Sequence, residues 1–384
     1  MEDINKNDKE LNQKLEDINQ KMKEVLENST KEISRKIDIA KQEIKKRINE
    51  KQNFIKKLKE FREIPKIHMV INSEEVLNNI INPILFCLAN LEVITEFTLE
   101  NTNEKRELLK KLIEGNHFIP KFIELMQNMR NNNAINPNYN NVHQYLKNKV
   151  NNYMSQSPDS IINSILGLLE KEINLANNTL QNKYPNIIEN NFLGTLKTKK
   201  NCNKCGIVVE IVEEKKLVIE LFLRKPQKAA DKTLNSIFLN LLSGRKKNNE
   251  KCKYCGEIMF NTFSLSDLKN YLILHLDRKN DPQNLMKLKL SNPLKISAEK
   301  NNKECNYQYE LISILADINV ASINLNDGQI LNINEINKEN LKIFFKNFIN
   351  DKWYKTIKGK TNEFNENNQE IYNCRPNILI YKRI

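Results

Sequence analysis

Two short motifs, Cys202-Asn-Lys-Cys205-Gly206 and Cys252-Lys-Tyr-Cys255-Gly256, decide the fold of this chain. In each motif two residues separate a pair of cysteines, and this spacing lets one tight turn present two sulfur atoms to the same ion. Glycine after the second cysteine fits a backbone that turns through positive φ. We therefore predict one structural Zn²⁺ ion held by Cys202, Cys205, Cys252 and Cys255. Disulfides, a redox CxxC pair and chance are the alternatives.

The stretch between the two motifs is too long for a compact zinc finger and has room for strands and a helix. The ion would then join the two ends of an inserted subdomain at about residues 195–260. Four thiolate ligands leave no open coordination position for water, so the predicted role of the zinc is structural.

Composition limits the class of protein. The chain has 384 residues and a net charge of +13. No apolar run approaches the ~20 residues of a membrane span, and the charged N-terminus does not resemble a secretory signal. Seven cysteines, three of them isolated, favour a reducing compartment, the cytoplasm or the nucleus. The basic charge allows contact with RNA or a ribonucleoprotein, but no motif supports it.

Residues 1–66 predict one long helix, because they contain no glycine and their first proline is Pro65. Apolar residues recur at steps of eleven, about 3.67 residues per turn, which gives a nearly straight stripe. A helix with one narrow stripe cannot bury it on itself, so we expect a coiled-coil contact with a protein partner. A solvated single helix stabilised by Glu–Lys pairs is the alternative. The two ladders of the stripe are Leu15, Leu26, Ile37 and Ile48, and Leu11, Met22, Ile33, Ile44 and Ile55.

Residues 67–384 predict an α+β body. Helices come first, at about residues 72–91, 97–113, 119–129 and 159–176, separated by an Asn-rich loop at 131–142. Strands of antiparallel type follow the zinc insertion.

Several segments of this body carry a family resemblance. They are Phe192-Leu-Gly194, the two cysteine motifs, Tyr271–Arg278, Tyr309–Leu315, Asn350–Tyr354 and Asn377–Arg383. In order and spacing they resemble the ubiquitin-specific proteases, papain-like deubiquitinases with a thumb, palm and fingers. The resemblance covers about residues 67–384 and implies that fold, with the zinc in the fingers.

The same resemblance places the family's catalytic residues on unsuitable side chains. The nucleophile position falls on Asn79, the histidine position on Asn340 and the position of the orienting Asp or Asn on Lys358. The asparagine of the oxyanion hole falls on Glu74. A cysteine protease needs a thiolate held beside an imidazole, and an amide side chain can replace neither. No histidine follows His275 in the sequence.

Two other residues near these positions have structural interpretations. Cys87 is the only cysteine near the nucleophile position, and we interpret it as a small core residue. His275 shares a strand face with Ile273 in an apolar run, and we interpret it as a buried histidine whose hydrogen bonds are satisfied.

These observations predict a catalytically inactive, ubiquitin-specific-protease-like scaffold or interaction subunit of a larger assembly, anchored by its N-terminal helix. A non-cleaving binder of ubiquitin or a ubiquitin-like protein is the first alternative. An active deubiquitinating protease with a relocated nucleophile is the second.

Overall fold

The fold is described from a computed structural model. It covers residues 2–67, 78–113, 115–134, 137–150, 157–180, 183–223, 233–243, 246–277, 290, 292–300, 303–316, 341–365, 371 and 374–384. The chain forms two compact units, Met1–Lys59 and Glu60–Ile384. Each unit is described by itself below.

The first unit is a single helix, α1 (Glu2–Leu58). Ion pairs one turn apart support it, including Glu32–Lys36 at 2.7 Å and Glu43–Arg47 at 3.0 Å. It ends before the predicted boundary at residue 66, because the backbone there pairs elsewhere. The N–H groups of Arg62 and Lys66 donate to the last carbonyls of another helix, at Arg130 and Met129.

The predicted apolar stripe of α1 is exposed to solvent. Its described members have about half or more of their surface accessible, a large exposure for aliphatic side chains. The ladder members among the described side chains are Met22, Leu26, Ile33, Ile37, Ile44, Ile48 and Ile55; Ile18, Val25 and Ile39, outside the two ladders, are exposed as well.

The second unit begins with a group of helices. They are α2 (Asn78–Ala89), α3 (Glu92–Leu99), α4 (Asn103–Ile113), α5 (Phe118–Arg130), α6 (Asn140–Lys149), α7 (Pro158–Asn177) and α8 (Ile187–Asn191), with α9 (Leu234–Ser243) later in the chain. The predicted helix at 97–113 is two helices, because the Thr102 hydroxyl accepts the N–H of Lys105 and starts α4. The end of the predicted Asn-rich loop belongs to α6.

Of the described helices, none alone is long and apolar enough to cross a membrane. Ile80–Ala89 and Glu92–Leu99 meet the length and composition criteria only together, and they form a bent pair.

Twelve described strands form one sheet. They are β1 (Gly194–Cys202), β2 (Val208–Lys216), β3 (Val218–Phe222), β4 (Lys246–Lys251), β5 (Ile258–Ser266), β6 (Tyr271–Asp277), β7 (Leu294–Lys300), β8 (Lys303–Ala316), β9 (Lys342–Lys346), β10 (Trp353–Ile357), β11 (Lys360–Phe364) and β12 (Pro376–Arg383). The expectation of antiparallel strands is wrong for two pairs, β3 with β6 and β5 with β7, which are parallel. The sheet is therefore mixed.

Strand β8 joins the two parts of this sheet. Residues 303–309 pair with β7, which leads through β5 to β1 and β2. Residues 313–316 pair with β12 on one side and with β9 on the other. The hydrogen-bonded ladder of one long strand thus connects the zinc-motif hairpins to the rest of the body.

Side chains alternate between two cores along the central strands. Ile273, Ile343 and Ile380 face the core that holds α2, α5 and α7. Leu274, Phe344 and Leu379 face the opposite core, which includes Leu234 and Phe238 of α9. The central strands of the sheet are therefore covered on both faces.

The buried carboxylate of Glu172, on α7, fixes the start of α5. Its oxygens accept the N–H groups of Phe118 at 2.7 Å and Ile119 at 2.9 Å, and the Tyr145 hydroxyl at 3.0 Å. These N–H groups are among those that a helix leaves without an internal partner. The carboxylate thus ties three helices together.

We predict that Glu172→Ala lowers the free energy of unfolding by about 2–4 kcal/mol, because it leaves buried donors unpaired. Urea denaturation followed by circular dichroism measures this. The control is Glu124→Ala, which removes an exposed carboxylate of α5 and is expected to have little effect. Equal stability of the two variants would contradict the role assigned to Glu172.

Candidate metal centre and family catalytic positions

Each cysteine motif forms the turn of an antiparallel hairpin. The first joins β1 to β2, and the second joins β4 to β5. In both turns the glycine N–H donates to the carbonyl of the first cysteine at 2.9 Å, and the first cysteine's N–H donates to the residue after the glycine. Gly206 and Gly256 have φ of 69° and 74°, a region that favours glycine, so the sequence prediction for both is confirmed.

The pairing of β1 with β5 brings the two turns together, since Cys202 lies opposite Met259 in that ladder. The sulfur of Cys202 is 3.4 Å from that of Cys255, and the sulfur of Cys205 is 3.6 Å from that of Cys252. All four sulfurs lie within 4.8 Å of one another. Tetrahedral zinc with Zn–S bonds of about 2.3 Å separates its sulfurs by about 3.8 Å, so the cluster fits the ion.

The surroundings favour the thiolate form at the first cysteine of each motif, whereas hydrogen bonds with neighbouring sulfurs raise the pKa of the second, Cys205 and Cys255. The backbone N–H of Cys205 points at the sulfur of Cys202 and lowers the pKa of that thiol to about 6. The backbone N–H of Tyr254 likewise lowers the pKa of Cys252. These sulfur–sulfur distances are well above the ~2.05 Å of a disulfide bond, so the structure favours free thiols over the disulfide alternative. The four cysteines cluster as a zinc site, as predicted. An ion bound there would hold the two hairpin turns together. Because four thiolates fill its coordination sphere, it would have no open position for catalysis.

The positions that the sequence resemblance assigns to the family's catalytic residues are only partly described. Asn79 lies in the first turn of α2. Glu74 and Asn340 fall outside the described residues. Lys358 is exposed and forms, with Gly359, the two-residue turn between β10 and β11. Its φ of 49° lies in the left-handed region, which hairpin turns of this length require.

Cys87 lies deep inside the body, on the part of α2 that packs against the sheet. Only 4% of its surface is accessible, and burial raises the pKa of its thiol to about 12. The neighbouring Phe86 meets Phe345 of β9 edge to face, with ring centroids 5.1 Å apart. Its interpretation as a core residue is confirmed.

A model of the family "Ubiquitin carboxyl-terminal hydrolase" matches residues 77–381. The chain belongs to this family. The match includes α2, the helix that contains Asn79, and runs almost to the end of β12, so it covers nearly all of the second unit. No curated protein sequence matches the chain.

Solved structures of Ubp8 share the ubiquitin-specific protease fold. One, the SAGA DUB module of a Ubp8 variant with Sgf11, Sus1 and Sgf73 bound to monoubiquitin, is 14% identical, with a TM-score of 0.56, over 84% of this chain and 69% of that one. Another, the same module bound to ubiquitin aldehyde, is 15% identical, with a TM-score of 0.57, over 84% and 70%. A third, the yeast SAGA module with an Sgf73 variant, is 14% identical, with a TM-score of 0.57, and the match covers 84% of this chain and 69% of that one. At this identity the likeness establishes the fold.

A second group of side chains was missed at the sequence level. Asp159, Glu220 and His275 bring their carboxylate oxygens and ring nitrogen within 4.8 Å of one another. The interpretation of His275 is correct in that it is buried, but its Nδ1 has no hydrogen-bond partner. Only the parallel pairing of β3 with β6 places Glu220 beside it, and no local sequence signal predicts a pairing between strands so far apart.

We predict that Cys202→Ser combined with Cys205→Ser releases the zinc and unfolds the fingers, because about 10–16 kcal/mol of metal binding appears as folding energy in such sites. Metal analysis of the purified protein and limited proteolysis within residues 195–260 measure the two effects. The control is Cys305→Ser, a half-buried thiol of β8 outside the cluster. Wild-type protein without bound zinc would contradict the prediction.

Proposed function

We propose that this chain is a catalytically inactive member of its family and acts as an interaction subunit of a larger assembly. The proposal rests on the residues that the sequence resemblance assigns to the family's catalytic positions, Asn79, Asn340 and Lys358. None of these side chains supplies a thiolate or an imidazole, the two groups that cysteine protease chemistry requires. Lys358 lies in the tight hairpin turn between β10 and β11.

Cys87, the cysteine near the predicted nucleophile position, is a poor substitute nucleophile. Attack on a carbonyl requires an accessible thiolate, and the Cys87 thiol is buried with its pKa raised to about 12. Four other cysteines belong to the zinc cluster. Burial of Cys87 therefore argues against an active protease with a relocated nucleophile.

Two observations support membership of an assembly. The α1 helix presents an exposed apolar stripe at helical spacing, which fits a partner helix. The Ubp8 structures of the same fold are complexes with Sgf11, Sus1 and Sgf73. We infer a protein partner for the helix, in a reducing compartment such as the cytoplasm or nucleus, where free thiols persist.

Binding of ubiquitin, or a ubiquitin-like protein, without cleavage is the second candidate function. It is favoured by the Ubp8 structures, which are bound to monoubiquitin and to ubiquitin aldehyde. A retained fold can keep a binding surface after the reacting groups are lost, because the two depend on different side chains.

One titration separates these functions. Purified protein is added to ubiquitin with a C-terminal fluorophore; fluorescence polarisation reports binding, and an increase in fluorescence reports cleavage. We expect no release of the fluorophore. Binding without cleavage would support a ubiquitin reader, whereas absence of binding would support the role of an interaction subunit that does not bind ubiquitin.

The control for this titration is Cys87→Ala. Release of the fluorophore by the wild-type protein would overturn the proposal of inactivity. Loss of that release in Cys87→Ala would then identify Cys87 as the nucleophile. Residual release by both proteins at the same rate would indicate a contaminating protease or another thiol.

The role of α1 is tested by Ile33→Gln with Ile44→Gln, which interrupts the stripe while keeping a helix-compatible side chain. We expect the native assembly extracted from cells to decrease in mass, as measured by size-exclusion chromatography with light scattering. The matched control, Lys31→Gln with Lys45→Gln, changes exposed positions off the two apolar ladders. An assembly of unchanged mass in the isoleucine variant would contradict the anchoring role.

A further inference from the structure

Three elements of the body converge on one small cluster of metal-ligating groups. Glu220 of β3 lies directly opposite His275 of β6 in a parallel ladder. Residues opposite each other in a ladder point to the same face of the sheet, here the face that also carries Val218 and Ile273. The first turn of α7 packs on this face and adds Asp159.

The distances within the cluster suit a single ion. The Nδ1 atom of His275 is 3.3 Å from Oδ1 of Asp159 and 3.7 Å from Oε1 of Glu220. Ligand atoms at about 2.1 Å from a tetrahedral metal are about 3.4 Å apart. The two separations bracket that value, and one ion could contact all three groups after small side-chain rotations.

The buried atoms of the cluster lack hydrogen-bond partners. His275 is 8% accessible, and its Nδ1 and Oδ1 of Asp159 are both buried with no hydrogen bond. Although these two atoms are close, their geometry does not make a hydrogen bond between them. A buried polar atom without a partner is costly, and such atoms in a native structure often mark the place of an unseen ion or water. A cation between them would satisfy both.

We propose that Asp159, Glu220 and His275 bind one divalent transition-metal ion of the Zn²⁺ or Mn²⁺ type, at a second site separate from the four-cysteine cluster. One imidazole nitrogen and two carboxylate oxygens form a mixed ligand set that suits these ions. The two carboxylates balance the charge of the ion. Three protein ligands leave at least one coordination position open to solvent, unlike the closed thiolate site.

Binding at this site would connect α7 to the sheet. Asp159 belongs to the helix, whereas Glu220 and His275 belong to paired strands, so an ion shared by the three would cross-link a helix and two strands of one unit. A ligand that binds only the folded state raises its stability. The ion should therefore raise the melting temperature of the body.

Mn²⁺ is the first probe, because as a hard ion it binds a four-thiolate site poorly. Full-length protein prepared with one Zn²⁺ per chain, enough for the four-cysteine cluster only, is titrated with Mn²⁺, and electron paramagnetic resonance measures the free hydrated ion. We expect one saturable Mn²⁺ site per chain and a higher melting temperature on binding. A parallel experiment counts tightly bound Zn²⁺ and is expected to give two ions per chain.

Two conservative variants, Asp159→Asn and Glu220→Gln, are expected to weaken Mn²⁺ binding at least tenfold and to leave one Zn²⁺ per chain. The matched control is Glu304→Gln, an exposed carboxylate on β8 outside the cluster. Circular dichroism verifies that each variant is folded. Wild-type protein that binds neither Mn²⁺ nor a second Zn²⁺ would overturn the proposal, and so would unchanged binding in both folded variants.

Discussion

The hydrogen-bonded ladder of β8 is the constraint on which the body depends. Its first half extends through β7 toward the zinc-motif hairpins, and its last residues are paired on both sides, with β12 and β9. Helix α2 packs against this doubly paired region, where Phe86 meets Phe345. The same packing buries Cys87 and raises the pKa of its thiol. The packing of α2 and the burial of that thiol therefore have one cause, the close contact of α2 with the sheet.

The metal centre accounts for the stability of the exposed hairpins. Strands β1, β2, β4 and β5 project as hairpins, and the described residues of β2 are exposed along almost their whole length. A two-sided, exposed hairpin buries little apolar surface and cannot be stable by packing alone. Four thiols at the paired turns supply the missing energy once they bind zinc, and the low pKa of Cys202 favours its thiolate form.

Local chemistry made much of the fold predictable. The CxxCG spacing predicted the cysteine cluster, because a two-residue spacer and a left-handed glycine are properties of one turn, and the order of motifs predicted the family. Features that depend on distant pairing were not predictable. The parallel ladder of β3 and β6 places Glu220 beside His275, but two zinc-motif strands and a helix separate these strands in the sequence. The apolar run around His275 also gave no sign that its Nδ1 lacks a hydrogen-bond partner. The α6 helix was missed because asparagine-rich sequence favours loops, although Val142, Tyr145 and Leu146 bury one face.

We propose that this chain keeps the zinc-pinned fold of its family without a reactive thiol. The most direct test is ubiquitin with a C-terminal electrophile, which forms a covalent bond only with an activated nucleophile close to the bound C-terminus. Intact-protein mass spectrometry after incubation with the zinc-loaded protein measures the adduct. The account predicts an unchanged mass, whether or not ubiquitin binds. A stoichiometric adduct of one ubiquitin, mapped by peptide analysis to Cys87 or to any other single cysteine, would contradict it.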